Sequence, residues 1–161
     1  MEKTDQGKPG SVRRRKRPSA HDDVSTQHML NELKAAPDLD SYVEHNKDSF
    51  YSWPLSEHFD MLLKKYGVNK SEAIERADIE RSYGYQILRG ARDAKRDKYI
   101  RMAIGIGLDL EDTQRLLTVA KQGVLYPKVL RDAALIFCIN GKCDLMTTQT
   151  LLHDYGLEVL A

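Results

Sequence analysis

Cysteine is scarce in this chain. Cys138 and Cys143 are the only two, and they flank an Asn-Gly turn. Two cysteines cannot make a disulfide framework, and no further Cys or His stands at ligand spacing, so no metal site is assigned. The simpler reading is a reducing cytoplasm, with Cys138 buried as a small hydrophobe. Long apolar runs are missing as well: no stretch of about 18 residues is apolar, so a membrane span and a membrane partner are not expected. The N-terminus is polar and basic without an apolar core, which does not fit a secretory signal. His21, His28, His45, His58 and His153 are scattered. There is no Ser/His/Asp set, no phosphate-binding glycine loop and no paired-carboxylate motif. No catalytic residue and no cofactor is assigned, and an enzyme is not expected. Asp22-Asp23 and the acids near helix starts read as caps and solvated charge. No turn pair sits between alternating apolar residues, so a β-hairpin is not expected either.

What is present fits a soluble globular domain, with 161 residues, 41% hydrophobic and 30% charged. The net charge of +1 is unevenly spread: residues 1–20 hold seven Lys/Arg against two acids, which is +5 and leaves −4 for residues 21–161. That first segment has too few apolar residues to bury a core and reads as a disordered basic arm. Within it, Arg13, Arg14, Arg15, Lys16 and Arg17 form a run suited to neutralising phosphates, or to plain solubilisation. The acidic remainder argues against strong non-specific DNA affinity. It leaves room for a local basic face made of Lys70, Arg81, Arg89, Arg92, Lys95 and Arg96.

Residues 21–55 read as a partly helical connector. Ser25 can cap a helix running to about Lys34, with Met29, Leu30 and Leu33 as a thin stripe, and a second short helix fits Leu39–His45. Phe50, Tyr51 and Trp53 precede Pro54; aromatics in a connector are usually pinned onto a domain. From Ser56, read as a cap, the helical pattern is clear: Phe59, Leu62, Leu63 and Tyr66 recur at helical spacing, and Gly67 closes the helix.

The most informative stretch is residues 68–90, VNKSEAIERADIERSYGYQILRG. Asn69 followed three residues later by Glu72 is a capping box. Ala73, Ile74 and Ala77 form a small apolar stripe, Asp78-Ile79-Glu80 makes a turn, and Tyr83, Ile87 and Gly90 set a second helix and its end. Arg81, Ser82, Tyr85, Gln86 and Arg89 are left facing outward. Arg, Ser and Gln on a short helix suit base edges and phosphates in a DNA major groove.

This stretch resembles the helix-turn-helix of the lambda-repressor-like (XRE) family. Val68, Asn69, Lys70 and Glu72 fall on its opening Leu-Thr-Gln-x-Glu positions, and Ile79, Ile87 and Gly90 on its apolar and glycine landmarks. The similarity runs from about Ser56 to Asp112, through RDAKRDKYIRMAIGIGLDLED. The resemblance implies that Arg81, Ser82 and Gln86 read bases and that Lys70 touches the backbone; Arg89, Arg92 and Lys95 are read beside them as positioning phosphates, with Tyr85 on the same outward face. The chain departs from the family in two places. Asp78 replaces the usual turn glycine, so its backbone must tolerate φ > 0. Gly84 replaces a β-branched core residue in mid-helix, which opens space on the core side at a cost of about 1 kcal/mol.

Shifted by 35 residues, positions 97–117 match 132–152. Asp97 meets Asp132, Ile100 meets Leu135, Ile104 meets Ile139, Asp109-Leu110 meets Asp144-Leu145, and Thr113-Gln114 meets Thr148-Gln149. Two helical hairpins are expected to stack, over about 96–106, 110–121, 127–140 and 145–155, with Pro127 in a first turn. The run Leu135-Ile136-Phe137-Cys138-Ile139 is apolar on more than one face and is expected to be buried on both sides, either within the domain or against a second copy.

The expectation is an all-α protein: a lambda-repressor-like helix-turn-helix bundle extended by a C-terminal helical hairpin. Residues 1–20 are the arm, 21–55 the connector, 56–122 the helix-turn-helix domain and 123–161 the hairpin packed on it. The expected function is sequence-specific double-stranded DNA binding by a homodimeric transcriptional regulator, paired through the C-terminal hairpins. The alternative is a helix-turn-helix-type adaptor that binds a protein partner, favoured by Asp78, Glu80, Gly84 and the Tyr83/Tyr85 pair.

Overall fold

In the computed structural model, residues 24–50 and 54–161 are described. The arm at residues 1–20, with Arg13 to Arg17, lies outside them, as do Tyr51 and Trp53. Every regular element among the described residues is an α-helix.

The first unit holds α1 (Thr26–Ala35) and α2 (Leu39–Asn46). Ser25 caps α1 by accepting from the His28 amide, and Asp38 caps α2 by accepting from Ser41. Tyr42 is the anchor between them: its ring meets Phe50 edge-on at 6.0 Å, and its hydroxyl donates to the Met29 carbonyl at 3.4 Å. Leu30 and Leu33 stay exposed.

The second unit, residues 52–161, holds seven helices: α3 (Leu55–Tyr66), α4 (Lys70–Arg76), α5 (Arg81–Leu88), α6 (Arg96–Ile106), α7 (Leu110–Val119), α8 (Leu130–Asn140) and α9 (Leu145–Asp154). Phe59, Leu62, Ile87, Leu88, Ile100, Met102, Leu116, Leu117, Leu135 and Leu152 fill one continuous core. Two of the expected helix starts are displaced. Pro54, not Ser56, is the N-cap of α3, so the Ser56 backbone is already helical and its hydroxyl is not in capping position. Pro127 lies three residues ahead of α8, whose first residue is Leu130. Residues 127–129 form a turn instead, in which the Val129 amide donates to the Tyr126 carbonyl at 3.0 Å; just before it, Leu125 is held by Gln114 and the Tyr126 amide by Asp132.

Helix α4 is gripped from two sides by glycines, which is why so short a helix can sit in the core. A Cβ on Gly84 of α5 would lie 2.7 Å from Cγ1 and Cγ2 of Ile74. On Gly105 of α6 it would lie 2.4 Å from the Ala73 carbonyl oxygen. The space opened by Gly84 is therefore filled by the Ile74 side chain.

The two halves of the internal repeat do not stack in the manner of a solenoid. Arg96 forks onto Asp132 at 2.9 and 2.8 Å, and its repeat counterpart Arg131 forks onto Asp97 at 3.1 and 2.8 Å. Exchanging the hairpins maps each pair onto the other, which is the mark of a local two-fold relation; a stack would leave the second arginine facing onward. The correspondence extends further. Arg96 donates to the carbonyls of Gly123 and Val124, and Arg131 to those of Glu158 and Val159. Gln114 clamps the backbone of Leu125, and Gln149 clamps that of Leu160. Asp109 and Asp144 cap their helices at identical backbone angles, φ −73° and ψ 175°. Residues 96–126 and 131–161 are thus two copies of one hairpin, each closed by its own extended tail.

Within a single copy of the chain, α8 is buried on one side. Leu135, Cys138 and Ile139 face the core, but Phe137 is 68% exposed. Cys138 and Cys143 are both free thiols, and burial pushes the Cys138 thiol up.

Candidate nucleic-acid interface

The α4–turn–α5 segment is set by local chemistry at each end. The Asn69 side chain accepts from the Glu72 amide at 2.9 Å and Glu72 accepts from the Asn69 amide at 3.2 Å, so both halves of the capping box are made. Asp78 takes the left-handed conformation, φ 49°, in the turn. Arg101 of α6 fastens that turn from behind by donating to the carbonyls of Ala77 and Asp78 at 3.2 and 3.1 Å, and also to that of Leu160 at 2.9 Å. Gly90, at φ 67°, ends the α5 segment.

On α5, Arg81, Ser82 and Arg89 are exposed, and Tyr85 and Gln86 are half-buried. Arg92 and Lys95 follow, both exposed. Two of the arginines rest on tyrosine rings: Arg81 Cζ lies 5.9 Å from the Tyr85 centroid and Arg92 Cζ 5.4 Å from that of Tyr83. Such cation–π contacts, each about 0.5–1 kcal/mol at exposed sites, restrain the guanidiniums while leaving their N–H groups available. Lys70 opens α4 and pairs with Asp60 at 3.4 Å on the surface, a contact that exchanges readily.

Two features were not foreseen from the sequence. Arg96 does not belong to the basic face, because its whole guanidinium is committed to Asp132, Gly123 and Val124. Glu80 is the N-cap of α5: its carboxylate accepts from the amides of Ser82 at 2.9 Å and Tyr83 at 2.8 Å. Those hydrogen bonds hold the Glu80 carboxyl below its ordinary range. The positive end of the helix dipole is therefore already neutralised, and a phosphate cannot use those amides. Little in the sequence signalled it, because Glu is not among the residues that favour the N-cap position.

A buried polar cluster joins α3 to α7. Asp112 accepts from Tyr66 Oη at 2.6 Å and from Lys65 Nζ at 2.8 Å. Burial by itself would raise the Asp112 carboxyl, but these two bonds outweigh it and hold it below the usual range. His58, fully buried nearby, is pushed down to about 4 by burial, against the opposing field of Asp112. It is neutral at pH 7 and serves packing. Among the described residues no group of three His, Cys, Asp or Glu is placed to hold a metal ion, and no helix is long and apolar enough to cross a membrane.

No protein-family model, curated protein or solved structure matches the chain.

Proposed function

We propose that this protein is a sequence-specific double-stranded DNA binder of the lambda-repressor-like kind, acting as a transcriptional regulator in the cytoplasm. The observation that carries the reading is the outer surface of α5: Arg81, Ser82, Tyr85, Gln86 and Arg89 lie along one short helix that a glycine crossing holds firmly against α4. Arg81, Ser82 and Gln86 face base edges in the major groove. Arg89, Arg92, Lys95 and Lys70 take phosphates, which fixes register without carrying sequence information. The arm at Arg13–Arg17 adds phosphate contacts and steepens the salt dependence.

Glu80 and the two arginine–tyrosine pairs favour a second reading, an adaptor that grips a protein partner through Tyr83 and Tyr85. Aromatic and arginine anchors are what such interfaces use. Selection from a random duplex library separates the two. An enriched motif whose affinity falls on Gln86→Ala supports DNA reading. No enriched motif, together with loss of a captured protein on Tyr85→Ala, supports the adaptor.

A further inference from the structure

The second hairpin carries an apolar face that its twin keeps covered. Leu130, Ala134 and Phe137 run along α8, and Leu151 and Tyr155 along α9, around an open recess of about 190 Å³. Leu130, Phe137 and Tyr155 are 60, 68 and 66% exposed. Thirty-five residues earlier the corresponding positions are Lys95, Tyr99, Met102, Leu116 and Ala120. Tyr99, Met102 and Leu116 are buried. Helix α3 packs on that side of the first hairpin and stacks Phe59 on Tyr99 at 6.5 Å. The hairpin is thus a unit built to be covered on this face, and among the described residues of the second unit only the first of its two copies has a cover.

We propose that the cover of the second is the same face of a second copy of this chain, giving an isologous dimer through α8 and α9. The face is self-complementary: Phe137 is a protruding knob, and the recess between Leu130, Ala134, Leu151 and Tyr155 is a hole beside it. Across a two-fold axis each Phe137 enters the other copy's recess, the reciprocal contact that such symmetry requires. No charged side chain lines the recess, so pairing leaves no ion buried without a partner. Large apolar and aromatic side chains offer ~150–250 Å² each. With Val129 and the half-buried Ala134 and Leu151, the face comes to on the order of 500 Å² per copy, or about 1,000 Å² in the pair, the lower limit of a specific interface. A reversible dimer follows, not an obligate one. This inference concerns a different surface from α5 and stands or falls separately from DNA reading.

The test is sedimentation equilibrium of the full chain across roughly 1–200 µM, with Phe137→Glu and, as control, Met146→Glu. Met146 is 79% exposed on α9 but does not line the recess. The expected result is a concentration-dependent dimer for wild type and for Met146→Glu. Phe137→Glu should weaken it at least tenfold, with its helical circular dichroism and melting temperature unchanged. A wild type that stays monomeric at the highest concentration overturns the proposal and leaves the face to a foreign helix. A dimer equally strong in Phe137→Glu overturns it as well, and places the contact elsewhere.

Discussion

Arg131 and Asp97, 34 residues apart, hold each other through two parallel bonds of 3.1 and 2.8 Å, and the Ala161 amide donates to the same carboxylate at 3.0 Å. Burial would raise the Asp97 carboxyl, but these donors outweigh it and keep it below its ordinary range. Arg131→Ala leaves a half-buried carboxylate without its main partner. Removing one member of a buried pair costs about 3–5 kcal/mol; with both side chains partly solvated the expected loss is about 2 kcal/mol. Denaturant titration checks it. In a double-mutant cycle with Asp97→Ala the losses should fall short of additive by about 1 kcal/mol or more.

Gly84→Ala places a methyl group 2.7 Å from two carbons of Ile74. Alanine is favoured over glycine in a helix by about 1 kcal/mol, while overpacking a tight core costs about 1–3 kcal/mol. The clash wins, and a net loss of up to about 2 kcal/mol is expected. Ile74→Ala, which alone costs about 2–5 kcal/mol, should tolerate the added methyl with no further loss. Equal penalties for Gly84→Ala in both backgrounds would show that the crossing is not what glycine serves.

The pH dependence of stability separates His58 from the aspartates. A histidine held at about 4 when folded and near 6.5 when unfolded binds protons preferentially in the unfolded state between those values. Stability is therefore full above about pH 6.5 and falls as pH drops toward 4, by up to about 1.4 kcal/mol per pH unit. Asp97, Asp112 and Asp132 also have lowered values, so their stabilisation is present above the unfolded carboxylate range and is lost only at more acidic pH. Between pH 6.5 and 5 the slope belongs to His58, and His58→Gln should flatten it in urea titrations taken across that window.

Glu80→Ser keeps a capping oxygen before α5 while removing a negative charge next to Arg81. Stability should change little, because a serine oxygen can accept from the same amides. If α5 faces DNA, affinity for duplexes of any sequence should rise several-fold at low salt, with the gain shrinking as salt is added. Anisotropy titrations at two ionic strengths read both effects, and an unaltered affinity would count against DNA at this face.

Much of this architecture was legible in the sequence because it is local. The capping box of Asn69 and Glu72, the helix end at Gly67 and the positive φ at Asp78 each depend on residues within one turn. The 35-residue repeat was also visible, since its Asp caps and paired leucines keep fixed spacing. What was not legible is how the copies meet. Arg96-Asp97 and Arg131-Asp132 read as ordinary charges at helix starts, and only tertiary placement turns them into crossed pairs. That placement also removed Arg96 from the basic face, where sequence alone had put it. The start of α8 also differs: residues 127–129 form a separate turn, closed by the Val129 amide on the Tyr126 carbonyl, directly after the backbone that Gln114 and Asp132 hold.

Arg101 joins the Ala77–Asp78 turn to Leu160, across 83 residues of chain. This gives the fold a clock. During synthesis at ~5–20 residues per second, the turn between α4 and α5 waits several seconds for the segment that completes its support. Until residues 131–161 emerge, Asp97 lacks its arginine, Arg101 lacks one of its carbonyls, and α6 lacks its packing against α9. The turn between α4 and α5 is therefore fully fastened only when the last residues of the second hairpin are in place.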